Sequence, residues 1–172
     1  MTFENDERYR LLHEWASHFG NYDGKIDLSV GGNLEAFTTH DAVLEAHAPL
    51  WGTKPGQEAP IPVVQVRRIL ARVLRWITPH RHDMHITLHP DGLSLCLFFV
   101  VKIRPKLLPI NIQVVPLIFH FRFANTPEGL RICRVDEWPA STIGEADRLI
   151  QEKLGWPETV PFQPERVFGA VS

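Results

Sequence analysis

Apolar and polar positions change their spacing near residue 82, and that change divides the chain in two. Ahead of it, apolar residues recur at three and four. Tyr9, Leu12, Trp15, Ala16 and Phe19 make one helical stripe over about residues 7 to 19, closed by Gly20-Asn21-Tyr22-Asp23-Gly24. A second helix is predicted from Thr38 through DAVLEAHAPLW, because Thr38 and Asp41 fit a capping-box spacing. Val43, Leu44, His47, Leu50 and Trp51 would lie on or near one of its sides. The intervening KIDLSVGGNLEAF reads equally as short helix or short strand, broken at Gly31-Gly32. After the polar loop from Gly52 to Pro60, Pro62 opens a third helix with Val63, Val66, Leu70, Val73 and Ile77 as its stripe.

From His82 the period is two. His82, Met84, Ile86 and Leu88 alternate with Asp83, His85, Thr87 and His89 up to a Pro90-Asp91-Gly92 turn. In the next strand Leu93, Leu95, Leu97, Phe99, Val101 and Ile103 are all apolar, whereas Ser94, Cys96, Phe98, Val100, Lys102 and Arg104 are only half so. The strand after it sets Val115, Leu117, Phe119, Phe121 and Phe123 against Ile118, His120 and Arg122. A tight hairpin at Asn125-Thr126-Pro127-Glu128-Gly129 leads into a last strand that ends near Trp138. A closing helix starts at Ser141 or Thr142, with Thr142 and Glu145 at capping-box spacing, and stops at Gly155 with Pro157 beyond.

Strands so long and so rich in aromatic and β-branched residues need a cover of helices on one face, which predicts an α+β domain. All 172 residues read as one domain, with a core over about residues 5 to 140 and a C-terminal helix and tail from 141 to 172. Hydrophobic content of 44% and charged content of 22% are ordinary for a soluble protein. A formal net charge of -2 offers no field to hold a polyanion, so no nucleic-acid partner is expected, and Arg67, Arg68, Arg72 and Arg75 read as a solvated helix face. Cys96 and Cys133 sit in predicted strands among apolar neighbours and read as buried, inert thiols. MTFENDERYR has no signal-peptide core, and Lys102, Arg104, Lys106 and several prolines interrupt the apolar stretches, so no membrane span or membrane partner is expected and the chain reads as cytoplasmic.

Helices first, then a meander of long antiparallel strands with an aromatic face, describes a cone. The segment TTHDAVLEAHAPLW resembles the G-H-D-A-hydrophobic helix of the NTF2-like (SnoaL-like) superfamily, and FHFRFANTPEGLRICRVDEW is similar to that superfamily's closing pair of strands. The resemblance implies a cystatin-like α+β fold, a curved antiparallel sheet wrapped around N-terminal helices. Here it carries an extra amphipathic helix near residues 63 to 77 and another after the last strand. It also implies a deep apolar pocket, commonly a homodimer across the sheet face, and member functions spanning dehydratases, isomerases, epoxide hydrolases, polyketide cyclases and non-catalytic binding modules. Where ketosteroid isomerases place a carboxylate just before an aromatic-Arg-aromatic strand, this chain has Phe119, which counts against steroid-type isomerisation.

The histidines His80, His82, His85 and His89 are the loudest polar feature. A zinc site needs imidazoles converging at about 2.0–2.1 Å, and strand geometry points His82 away from His85 and His89, so no metal site is expected. Asp136 and Glu137 are adjacent in the last strand, so one faces inward and the other outward; both parities of that strand mix polar with apolar residues, and the choice stays open. The inward carboxylate, beside Val135 and the phenylalanine wall, would be desolvated and its pKa raised toward useful acid–base chemistry. The plainer reading is a strand-end salt bridge with Arg131, Arg134 or Lys102. His47 and His13 are the candidate general bases, each equally readable as a core histidine bonded to backbone. Trp15, Trp51, Phe99, Phe119 and Phe121 would line an apolar ligand site or build an ordinary core. Without G-x-S-x-G, a glycine-rich phosphate loop or a metalloprotease helix, covalent catalysis and nucleotide chemistry have no support. The expected function is a cofactor-independent lyase, isomerase or cyclase acting on an apolar oxygenated small molecule by His/carboxylate proton transfer; the alternative is a ligand-binding or dimeric interaction module of the same fold.

Overall fold

A computed structural model describes residues 6–18, 33–46, 60–108, 110, 113–140 and 142–155. Its elements are α1 (Glu7–His18), a one-turn 3-10 helix (Leu34–Ala36), β1 (Thr38–Ala46), β2 (Ile61–Pro62), α2 (Val63–Val73), β3 (Ile77–Leu88), β4 (Ser94–Pro105), β5 (Gln113–Thr126), β6 (Gly129–Pro139) and α3 (Ile143–Leu154). The six strands form one sheet in the order β2-β1-β6-β5-β4-β3. All neighbours run antiparallel except β1 and β6, which are parallel. Register shifts in the β1–β6, β3–β4 and β5–β6 pairs bend the sheet, as bulges do.

The inner face follows the alternation. Leu95, Leu97, Phe99, Val101 and Ile103 of β4 join Leu117, Phe119, Phe121 and Phe123 of β5 in one core. That core is closed by Leu11, Leu12, Trp15 and Ala16 of α1 and by Val63 and Val66 of α2. Burying each such side chain contributes about 1.5–3 kcal/mol, so this contact is what seats the helices. The α+β cone expected from the pattern is the architecture found. The outer face carries a smaller core of Cys96, Phe98 and Ile118 against Ala140, Ala146 and Ile150, which places α3 on the opposite side of the sheet from α1 and α2.

Residues 38–46 correct the expected second helix. The segment TTHDAVLEA is strand β1, with Ala42, Leu44 and Ala46 buried and Val43 and Glu45 less so. Period two and period 3.6 both fit so short a run, and the free edge of β6 decides between them by pairing Leu44 with Val135 and Ala46 with Glu137. Thr38 is therefore no helix cap; its hydroxyl donates to the Leu34 carbonyl at 2.9 Å. Likewise α2 stops at Val73 and Ile77 begins β3, so the strand starts earlier than the change of period near His82 suggests. The exposed Val73 does not extend the α2 stripe.

Local chemistry fixes the element ends. Thr142 caps α3 by accepting the Glu145 N–H at 3.1 Å, and Gly155 closes it in the left-handed region at φ 66° with its N–H on the Gln151 carbonyl. In the β3–β4 turn, Asp91 accepts the Leu93 N–H at 2.7 Å. Arg8, buried at the start of α1, donates through Nη1 to the His89 and Ser94 carbonyls at 2.6 and 2.7 Å and pairs with Asp6. It pins the first helix to the β3–β4 hairpin. Arg67 of α2 donates to the His18 carbonyl at 2.7 Å and so ties the second helix to the end of the first.

Candidate functional site

β6 carries the two adjacent carboxylates, and a bulge decides which way each faces. Arg122 pairs with Arg134 and Phe123 with Ile132, leaving Cys133 without an opposite residue. The inward positions therefore switch from Leu130 and Ile132 before the bulge to Val135 after it. Glu137 shares the parity of Val135, stands opposite Phe119 on β5 and Ala46 on β1, and is fully buried at 0% exposure. Asp136 shares the opposite parity, in register with His120.

On the inner side, aromatic rings interlock around this stretch of sheet. Trp15 meets Phe121 edge-on at 5.4 Å between centroids, Phe99 meets Phe119 at 5.0 Å, and Phe119 and Phe121 lie 6.1 Å apart. These are the attractive tilted and edge-to-face geometries of aromatic pairs. The structure thus brings together Trp15, Phe99, Phe119, Phe121 and Glu137 on one face. His13 is half-buried, beside the α1 stripe formed by Leu11, Leu12 and Trp15. His47 and Trp51 lie outside the described residues. The histidine of α1 that is buried is His18, whose ring packs edge-on to Phe37 at 5.6 Å. Its signal was present in the sequence, since Leu11, Trp15 and His18 are spaced by four and three.

The outer side has a different character. Asp136 Oδ1 accepts from Arg134 Nε at 2.8 Å, while its Oδ2 lies 3.4 Å from Arg122 Nη2 and 3.7 Å from His120 Nδ1. Arg134 reaches on to Glu45 of β1. Burial works against the charge of Asp136, but the neighbouring His120 imidazole, the hydrogen bond from Arg134 and the charges of Arg134 and Arg122 outweigh it, holding the carboxyl below its usual value. His120 in turn stacks on Trp138 at 5.8 Å, and Lys153 of α3 lies 5.7 Å over the Trp138 ring. Cys96, in register with His120, has its thiol pushed well up, first by burial and then by the Asp136 charge. A thiol so placed is a poor nucleophile. Of the salt-bridge partners the sequence suggested for this pair of carboxylates, Arg134 is the one that engages Asp136.

Phe98, Ile118 and His120 are buried within one chain, with Phe98 and Ile118 beneath α3. Two histidines of the expected cluster, His85 and His89, have different surroundings. His85 tilts against Phe98 on the outer face at 6.2 Å, and His89 sits in the turn with Nδ1 3.0 Å from Asp91 Oδ2. Among the described residues no group of three or more His, Cys, Asp or Glu side chains is placed to hold a metal ion.

No protein-family model and no curated protein sequence matches the chain. Solved structures do. A provisionally named polyketide cyclase from Silicibacter is similar over 81% of this chain and 92% of its own, with 16% identity and a TM-score of 0.48. Another of that name, from Xanthomonas campestris, is similar over 83% and 96%, with 17% identity and a TM-score of 0.47. An NTF2-like protein with a cystatin-like fold from Novosphingobium aromaticivorans is similar over 83% and 88%, with 13% identity and a TM-score of 0.44.

Proposed function

We propose that this chain is a cofactor-independent enzyme of the lyase, isomerase or cyclase type, moving a proton on an apolar, oxygenated small molecule. The observation that carries the reading is Glu137: a carboxyl group removed from water on the inner face of a curved sheet, opposite Phe119 and beside Val135. A desolvated carboxyl against an aromatic wall is the setting that general acid–base chemistry uses. In this reading Glu137 exchanges the proton, Trp15, Phe99, Phe119 and Phe121 present the apolar surface, and His13 or His47 supplies the second titratable group. Asp136 is left with a structural role, because it faces the other side of the sheet and is committed to Arg134, Arg122 and His120.

The alternative, a ligand-binding or dimeric interaction module, draws on the contacts among the inner rings themselves, which touch one another as an ordinary core does. Solvent-deuterium incorporation separates the two. Purified protein in D₂O is incubated with a panel of apolar ketones and hydroxyketones, and exchange at the carbon next to the carbonyl is followed by proton NMR. The enzyme reading expects exchange above background that falls about 10²–10⁴-fold in Glu137→Gln. Thermal stabilisation by a panel member without exchange, or exchange indifferent to Glu137→Gln, would sink it.

A further inference from the structure

Exposed apolar side chains gather at the end of the sheet where α2 passes into β3 and where β4 turns back. The Trp76 carbonyl accepts the Lys106 N–H at 3.0 Å, and Ile77 pairs with Pro105, so the two turns are tied side by side. Trp76 is 73% exposed, Leu107 90%, Leu108 48% and Ile110 60%. Four exposed cations accompany them: Arg72 and Arg75 from the end of α2, Arg104 and Lys106 from the end of β4. No Asp or Glu occurs between residues 63 and 82 or between 93 and 124. The net charge of -2 is thus a sum over an uneven distribution, and this end is locally basic.

We propose that this end docks on the surface of an anionic phospholipid bilayer. An indole sits well at the boundary between headgroups and acyl chains, and a cluster of four or more Lys or Arg recognises acidic headgroups. Leu107, Leu108 and Ile110 add apolar tips that enter the boundary, and the two signals together suffice for reversible peripheral binding. A nucleic acid would use the cations, whereas the bilayer boundary matches the cations and the four exposed apolar side chains together. Among the described residues no helix is long and apolar enough to cross a membrane, so the contact is one of lying on the surface.

Flotation of the full chain with vesicles tests this, comparing pure phosphatidylcholine with phosphatidylcholine–phosphatidylserine. The proposal expects binding to the phosphatidylserine vesicles that weakens with added salt. Arg75→Ala and Lys106→Ala should each lower the partition coefficient about fivefold. Trp76→Ser with Leu107→Ser should abolish flotation while the far-ultraviolet circular dichroism stays that of the wild type. Failure to float with phosphatidylserine vesicles overturns the proposal, as does flotation indifferent to these substitutions. DNA binding that needs Arg75 and Lys106 but not Leu107, without vesicle binding, assigns the end to nucleic acid instead. Self-association in sedimentation velocity that Leu107→Ser removes, again without vesicle binding, makes it a contact between copies.

Discussion

Asp136 and Glu137 are neighbours in sequence and lie on opposite sides of the sheet, both almost wholly buried, one at 2% and the other at 0% exposure. One strand therefore carries a carboxylate held by arginines on its outer face and another set against phenylalanine on its inner face. The two should answer differently to substitution.

Asp136 makes stability depend on acid. Its folded-state pKa is lowered, so the stabilisation is present above the ordinary carboxylate value and is lost as pH falls through the lower, folded one. Asp136→Asn should cost about 2 kcal/mol at neutral pH, less than a fully buried pair because Arg122 and Arg134 remain part-exposed. The same substitution should flatten the acid limb of a plot of urea midpoint against pH below about pH 4. A limb as steep as that of the wild type would assign the acid sensitivity to other groups.

Phe121→Ala and Phe99→Ala should each destabilise the fold by about 3–5 kcal/mol, since both side chains are buried to 1% exposure or less. Phe121→Ala also removes the edge-on contact with Trp15. Denaturant titration gives both values, and near-neutral results would mean that the rings are not in the core.

Arg8 holds two backbone carbonyls of the β3–β4 hairpin through Nη1 while its Nε and Nη2 hold Asp6, and the single ammonium group of lysine cannot do both. Arg8→Lys should recover only part of the roughly 3 kcal/mol lost in Arg8→Ala. The informative readout is hydrogen exchange at α1, which should speed up in both variants more than exchange in the centre of β5. Equal acceleration everywhere would make Arg8 an ordinary core residue rather than a clamp.

Cys96 lies beneath α3 and reports on that helix. A thiol reagent should label Cys133, which is half-exposed, ahead of Cys96. Ile150→Ala should raise the Cys96 rate with little change in global stability if α3 opens on its own. Labelling of Cys96 only at the rate of global unfolding, in both proteins, would show that α3 and the sheet open together.

Much of this arrangement is legible along the chain, because the inner faces of β4 and β5 are unbroken apolar alternations and nothing else could cover them. The capped ends of α3 were equally plain. The orientation of Asp136 and Glu137 was not: Cys133, one residue too many in β6, reverses the parity halfway along, so neither odd nor even positions look consistently apolar. β1 reads as a helix along the chain because its buried residues include the small Ala42 and Ala46, which weigh little in any periodicity. Arg8 left no trace in the pattern, since its partners are main-chain carbonyls some eighty residues away.

The parallel pairing of β1 with β6 imposes an order on assembly. Leu44 pairs with Ile61 of the two-residue β2 on one side and with Val135 on the other, so the longer of its two pairings must wait for the strand made last. Hairpins among β3 to β6 close over short stretches, whereas this seam closes over about half of the chain, and loops of that length form late and slowly. Until it closes, the margin of β6 bearing Val135 and Glu137 is open to any extended peptide nearby. A ribosome-bound chain halted before β6 would therefore hold its first strand by the short β2 alone, and newly made copies should be most prone to exchange strands at that seam.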